Sequence, residues 1–186
     1  MTTPNFINIY PNALPEGICD ALVEMADELI EGNHEGVDFQ DNPDRVDHNI
    51  FMTQYTRFES YVNEIKSSLA KHMRLYADEY DFNYHDNYLV DAFKLQRSSE
   101  GQGFYTWHSE QGSGKSNCSR YAVWMFYLND VTEGGTTQFK HFDLNVKPTK
   151  GTLVLWPAAY THMHRAAPDL RQNKYISTGW FAFPNE

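Results

Sequence analysis

The apolar residues of this chain change their period once, near residue 88, and that change restricts the fold more than any other feature. Before it they recur at three- or four-residue intervals, the spacing of a helix face. After it they alternate, or run on in short stretches bounded by turn residues, the spacing of strands. A chain built this way puts helices first and a sheet afterwards.

The early half carries two helical stripes. Across residues 15–30, Ile18, Leu22, Met25 and Leu29 line one face, while Glu16, Asp20, Glu24, Asp27 and Glu31 line a solvated one. Pro15 suits the first turn and Gly32 the stop. Across residues 51–80, Phe58, Val62, Ile65, Leu69, Met73 and Tyr76 repeat the pattern and predict a long helix over the outside of a sheet. Residues 6–10 alternate and predict a short edge strand. Residues 32–49 are polar and read as a loop, in which His34 and His48 have no metal role. Residues 81–87 break the second helix. Tyr84, His85 and Asp86 superficially resemble a ligand set, but adjacent residues point in different directions.

From Tyr88 onward the strand signals follow one another: 88–97, an extended 104–110, 120–128, 136–139, then 143–146 and 152–156 as a hairpin about 148–151, then 160–165 and 175–183. Residues 120–128 form an unbroken apolar run, as expected of a central strand covered on both faces. Two helices followed by about eight short strands predict a mainly β fold, a double-layer antiparallel sandwich or jelly roll with helices on one flank. No repeat or linker divides it, so a single domain is expected over 1–186, with 1–87 mostly a helical flank and 88–186 the β core.

Composition excludes several functions. The net charge of −10 disfavours non-specific binding to nucleic acid or to anionic membranes. Cys19 and Cys118 are too few for a disulfide framework and form no CxxC pair, which points to a reducing compartment. No basic region followed by an apolar run opens the chain, and no stretch approaches the ~20 apolar residues of a membrane span. A cytoplasmic protein is expected. The 12 Tyr, 12 Phe and 4 Trp suit a β-rich core and a flat-walled pocket.

The chemistry gathers between Trp107 and Lys174. On an extended strand residues two apart share a face, so His108 and Glu110 can both point inward while Ser109 points out. His162 and His164 share a face by the same rule, and either could complete the set. Two imidazoles and one carboxylate on one side of an ion, with the other side open, is the donor arrangement of non-haem Fe(II) oxygenases.

Longer motifs surround these residues. Gly103-Phe104-Tyr105-Thr106-Trp107-His108-Ser109-Glu110 resembles the first ligand strand of the prolyl 4-hydroxylase-like branch of 2-oxoglutarate/Fe(II) oxygenases. Arg120-Tyr121-Ala122, Tyr127-Leu128-Asn129-Asp130-Val131 and Glu133-Gly134-Gly135-Thr136-Thr137-Gln138-Phe139 resemble that branch's central strand and its Gly-Gly-x-Thr-x-Phe hairpin. Trp156-Pro157, His164-Arg165-Ala166-Ala167-Pro168 and the segment from Lys174 to Trp180 resemble its closing strands. The resemblance covers roughly residues 93–181. It implies a double-stranded β-helix of the cupin-like kind, with Fe(II), the co-substrate 2-oxoglutarate and O2 at the barrel mouth, and ascorbate alongside. It implies oxidative decarboxylation to succinate and CO2, coupled to hydroxylation of an unactivated C–H bond.

The resemblance also separates the late histidines. In this branch the basic residue follows the distal ligand by about ten positions, which selects His164 as ligand and Lys174 as the 2-oxoglutarate anchor. His162 then becomes supporting or substrate-lining. Glu110 departs from the branch's usual aspartate; it is one methylene longer but still supplies a hard anionic oxygen. Tyr105 and Gln96 are candidate hydroxyl and amide partners of 2-oxoglutarate. Arg120 is a candidate substrate contact, and Arg165 and Arg171 are candidate pocket edges. Trp107, Trp156 and Trp180 read as core, and residues 111–117 as a candidate lid.

Three functions are expected in order: a peptidyl hydroxylase acting on proline, an oxygenase of a free small molecule, and a non-catalytic barrel that binds metal or ligand. A nucleic-acid dealkylase ranks last, since that branch favours an Arg-rich closing motif.

Overall fold

The computed structural model describes residues 5–82 and 89–184. Its first strand, β1 (Asn8–Tyr10), is followed by helix α1 (Glu16–Glu31), the hairpin β2 (Val37–Asn42) and β3 (Arg45–Phe51), and helix α2 (Glu59–Tyr80). Then come β4 (Leu89–Ser98), β5 (Gly103–Phe104), β6 (Arg120–Tyr127), β7 (Thr137–Phe139), β8 (Leu144–Val146), β9 (Leu153–Pro157), β10 (His164–Ala166) and β11 (Lys174–Ala182). The larger sheet has the order β1-β9-β6-β11-β4-β3-β2, with β5 against β3, and the smaller has the order β10-β7-β8. Every pairing is antiparallel.

Alternation along β6 shows how one strand serves two cores. Ala122, Trp124 and Phe126 pack against the helices with Leu22, Ile65 and Leu69. Val123, Met125 and Tyr127 point the other way and meet Phe139 and Val146 of the smaller sheet together with Trp156 and Trp180. The expected central strand buried on both faces is therefore present. On α2 every residue of the predicted stripe is buried. On α1 the buried face is centred on Cys19, Leu22, Ala26 and Leu29, with Ile18 and Met25 only partly buried at its flank. The small Ala26 and Cys19 permit closer approach to the sheet than the larger side chains beside them.

Four expectations need correction. Residues 32–49 are no loop: β2 and β3 pair over six positions from Val37↔Ile50 to Asn42↔Arg45, and β3 continues the sheet onto β4. Their Asp and Asn content disguised them, because those side chains turn partly toward solvent and partly into a buried polar cluster of Arg45, Asp47 and Asn49. The second helix begins at Glu59, since Phe51 ends β3 and two 3-10 turns precede the helix. Residues 143–146 and 152–156 form no hairpin: β8 pairs with β7 and β9 with β6, so the turn between them crosses from one sheet to the other. Residues 160–165 are not one strand, for residues Tyr160–His162 form a 3-10 turn before β10. Tyr84, His85 and Asp86 lie outside the described residues.

Ile65 is fully buried where α2 meets the sheet. Ile65→Ala is expected to lower the unfolding free energy by about 2–5 kcal/mol, the cost of lost transfer energy plus a cavity. Urea unfolding followed by circular dichroism measures it, and a change below about 1 kcal/mol would contradict this packing.

Candidate metal centre

A single main-chain contact brings the two imidazoles together. His108 N–H donates to His164 O at 3.1 Å, and His164 N–H donates to His108 O at 2.9 Å. This isolated antiparallel bridge adds His108 to the free edge of β10. Residues directly opposite in an antiparallel pair hold their side chains on one face, so the rings converge, with centroids 4.4 Å apart. Two residues on, Glu110 and Gln111 donate to Ala158 O at 3.1 and 2.9 Å, beyond the end of β9. The extended segment is thus pinned at both ends, and Glu110 returns to the same face as His108.

His108, Glu110 and His164 offer one donor atom each, all within 4.8 Å of one another. Glu110 Oε1 lies 3.4 Å from His108 Nε2 and 3.7 Å from His164 Nε2. Those separations are long for hydrogen bonds but close to what an ion needs, since donors about 2.1 Å from a metal at right angles stand about 3 Å apart.

Protonation fixes which nitrogens are available. His108 Nδ1 lies 2.9 Å from Thr106 O, and His164 Nδ1 lies 3.0 Å from His162 O. A carbonyl only accepts, so each Nδ1 carries a proton, and Nε2, which faces Glu110, is the ring atom left to ligate a metal. This is the outer support metal-binding histidines require. Burial alone would raise the Glu110 carboxyl, but the two imidazoles beside it hold it well below the usual carboxylate range. Its second oxygen accepts from Trp180 Nε1 at 2.9 Å and lies 3.6 Å from Arg120 Nη1.

Behind the triad lies a pocket of about 280 Å³. Alternate residues of β11, namely Lys174, Ile176, Thr178 and Trp180, face it, as do Lys94, Gln96 and Ser98 of β4. Lys174 is buried and its Nζ donates to Gly135 O at 2.9 Å. Burial pushes its pKa down to about 8, against the opposing pull of Asp47 and Asp169. The Gly134-Gly135 turn makes that carbonyl reachable. Both glycines have positive φ, and a Cβ on Gly134 would stand 2.0 Å from Asp169 O.

The remaining sequence candidates divide. Gln96 lines the pocket and its amide bonds to Asn49 Oδ1. Arg120 and Arg165 line it too, Arg165 bonded to Gln138 and lying over Trp107. Tyr105 does not line it: its hydroxyl donates to Gly101 O, which corrects its expected role toward the co-substrate. Arg171 is exposed and faces Glu100 instead. The His162 ring stacks on Phe142 and bonds to Asn5 O and Thr161 Oγ1, so it does not share a face with His164. Its main-chain carbonyl is what supports the site. Among residues taken only as core, Trp180 proves to hold Glu110. Sequence reasoning missed Lys94, Ser98, Arg45 and Asp47. Lys94 and Ser98 carry the same parity as Gln96 and were legible on that ground; Arg45 and Asp47 sit on the unrecognised β3.

Residues 93–182 match the 2OG-Fe(II) oxygenase superfamily. That match spans just under half of the chain, and the matched half is similar to the superfamily's prolyl 4-hydroxylase-like branch. It is 36% identical over 95 residues to human prolyl 4-hydroxylase subunit alpha-1, covering 47% of this chain and 16% of that protein. The chain therefore matches about a sixth of the length of that relative. The viral collagen prolyl hydroxylase of Paramecium Bursaria Chlorella virus-1, solved as a 2-oxoglutarate complex, superposes with a TM-score of 0.72 at 18% identity, over 97% of each chain. A Trichoplax adhaerens prolyl hydroxylase, solved with a hypoxia inducible factor peptide fragment, gives 0.72 at 14% identity over 96% of this chain and 84% of that one. These likenesses establish the double-stranded β-helix fold. The superfamily's Fe(II) and 2-oxoglutarate fit the donor set and the buried ammonium described above.

Titration with Mn(II) tests the geometry. His164→Ala is expected to weaken binding by at least about 100-fold, at the upper range for losing even a supporting group. His162→Ala retains its carbonyl and is expected to change it less than tenfold. Equal losses in the two variants would overturn the assignment.

Proposed function

We propose that this protein is a 2-oxoglutarate- and Fe(II)-dependent dioxygenase that hydroxylates a prolyl residue in a peptide. The observation that carries the reading is the pair of tautomer-locked imidazoles aimed, with one carboxylate oxygen, at a common point. An adventitious cluster of two histidines and a glutamate has no reason to direct both Nδ1–H groups to carbonyls and both Nε2 atoms to one carboxylate oxygen.

His108, Glu110 and His164 would hold Fe(II) on one side, leaving the pocket side for co-substrate and O2. Bound together, Fe(II) and 2-oxoglutarate supply the oxidising power for C–H hydroxylation, consuming O2 and releasing succinate and CO2. The chain's own part is position and environment. Lys174 sits at the pocket's buried end, where its ammonium would pair with the far carboxylate of the co-substrate in a bond strengthened by exclusion of water. Gly135 O aims that ammonium, and Ile176 and Met125 keep the pocket wall apolar. The peptide substrate is supported by the branch, and by a structural neighbour solved with a peptide bound.

The direct test is succinate formation from labelled 2-oxoglutarate with Fe(II) and ascorbate across a panel of prolyl peptides, with hydroxyproline read by mass. Coupled release of both products is expected; neither product with any peptide would refute the reading.

The co-substrate site has its own pH signature. Lys174 is ionised below about 8 and binds a carboxylate in that form. Affinity for 2-oxoglutarate is therefore full below pH 8. It falls as pH rises above 8, by up to about tenfold per unit, because a proton must be taken up on binding. Lys174→Ala is expected to weaken 2-oxoglutarate at pH 7 and to abolish that slope while Mn(II) binding persists. A flat profile in the unaltered protein would refute Lys174 as anchor.

A further inference from the structure

The two imidazoles of the metal centre are held unequally. His164 belongs to β10 and sits between two large rings, with its centroid 5.0 Å from Trp156 and 5.9 Å from Phe139. His108 lies outside the named strands and joins the sheet through one isolated bridge. Its side chain is 18% exposed, against 8% for His164. The bond from His108 Nδ1 to Thr106 O fixes one point of the ring. A ring pinned at one point can still rock about it, and rocking carries Nε2 away from Glu110. A second contact has to hold the face.

Phe104 makes that contact. Its ring lies on His108 with centroids 3.7 Å apart and planes 10° from parallel. Phe104 is itself backed by Arg45, its register partner on β3, whose Cζ stands 5.3 Å from the Phe104 centroid. A cation near an aromatic face is attracted to it. The guanidinium has little freedom to turn. Arg45 Nε donates to Asp47 Oδ1 and Oδ2 at 3.0 and 2.8 Å, and Nη2 donates to Asn49 Oδ1 at 2.6 Å. Asp47 and Asn49 are both buried. Their cluster thus ends, through Arg45 and Phe104, on a candidate ligand of the metal.

The residue before Arg45 holds the same segment by its main chain. Asp44 O accepts from Tyr105 N–H at 2.8 Å and Thr106 N–H at 3.4 Å, and Asp44 Oδ1 accepts from Thr106 Oγ1 at 2.5 Å. Thr106 is the residue whose carbonyl receives the His108 proton. One turn, between β2 and β3, therefore supports both the pivot of the His108 ring and its face.

We propose that Phe104, backed by Arg45, is a positioning residue for the metal: its ring fixes the tilt of His108, so that Nε2 stays aimed at the point shared with Glu110 and His164. This rests on the metal-centre reading and extends it to the β2–β3 hairpin. Side chains that lock a ligand's rotamer are what give a metal site its precision.

Two measurements test it on the full chain, without turnover. Mn(II) affinity is titrated by electron paramagnetic resonance. In metal-free protein the ring protons of His108, assigned by their loss in His108→Ala, are followed by NMR; a stacked ring shields them, so they are expected upfield of an exposed histidine. Phe104→Leu is expected to remove that upfield shift and to weaken Mn(II) by about tenfold, the scale for losing an outer support. Phe104→Tyr keeps the ring and is expected to restore both. Unchanged His164 signals show that the sheet is intact. Where Phe104→Leu disturbs them, Arg45→Lys decides, since it leaves every ring present; it is expected to move both readouts the same way by less. Unchanged Mn(II) affinity in Phe104→Leu overturns the proposal, as do equal losses in the Leu and Tyr variants. Readouts unmoved by Arg45→Lys remove Arg45 from it. Failure of the unaltered protein to bind Mn(II) strikes the metal reading instead, and the His108 shift still decides whether Phe104 holds the ring.

Discussion

The site depends on two hydrogen bonds that involve no side chain. His108 and His164 are far apart in sequence, and their mutual N–H to O contacts are what place one opposite the other. Each imidazole could swing about its own Cβ, but each is stopped by a carbonyl on its own strand, at Thr106 and His162. Backbone pairing sets position, and backbone acceptors set orientation and proton placement. The metal-facing geometry is in this sense a property of the sheet edge. The smaller sheet needs its β10 edge left open for His108, and β10 pairs with only β7 on its other side.

A second constraint is the separation of charge between surface and interior. The net charge of −10 resides mostly on helix faces and loops, while the pocket gathers five cations. Burying cations is costly unless an anion meets them. Where a protein anion is present, as at Arg45 and Asp47, the pair rigidifies the β3 wall. At Lys174 and Lys94 burial outweighs the pull of the nearby carboxylates, and both ammonium groups are pushed down to about 8. At Lys174 the far carboxylate of the proposed co-substrate would offset that cost.

Period alone carried much of the fold. The stripe of α2, the run of β6 and the alternation of β11 are strong because each element is long and has one or two fully buried faces. The β2–β3 hairpin was illegible because its buried residues are Asp47 and Asn49, whose burial depends on Arg45 and Gln96 across the sheet. The β8–β9 pairing was misread because two short strands near one turn look the same whether they pair or part. At the site, His108 and Glu110 followed from parity, but parity alone left His162 and His164 equal. What separates them is the 3-10 turn at Tyr160–His162, which rotates His162 toward Phe142, and nothing in the residues of that turn announces it. Tyr105 failed for the same reason: the segment before His108 is not a regular strand, so counting by twos lost its meaning there.

The glutamate at position 110 brings these constraints together. A longer carboxylate has more rotamers to lose, and a loosely held ligand would sit in the wrong place. Here Trp180 Nε1 fixes Oε2 at 2.9 Å, which leaves Oε1 for the imidazoles. The extra methylene lets the carboxylate reach the indole and the metal position at once. The consequence is that Trp180 serves two masters. One edge of its ring bonds the carboxylate that would hold the metal, and its π system carries Arg120 and Lys94. An aspartate at this position, one methylene shorter, would have to give up either the indole or the metal position that Glu110 reaches together.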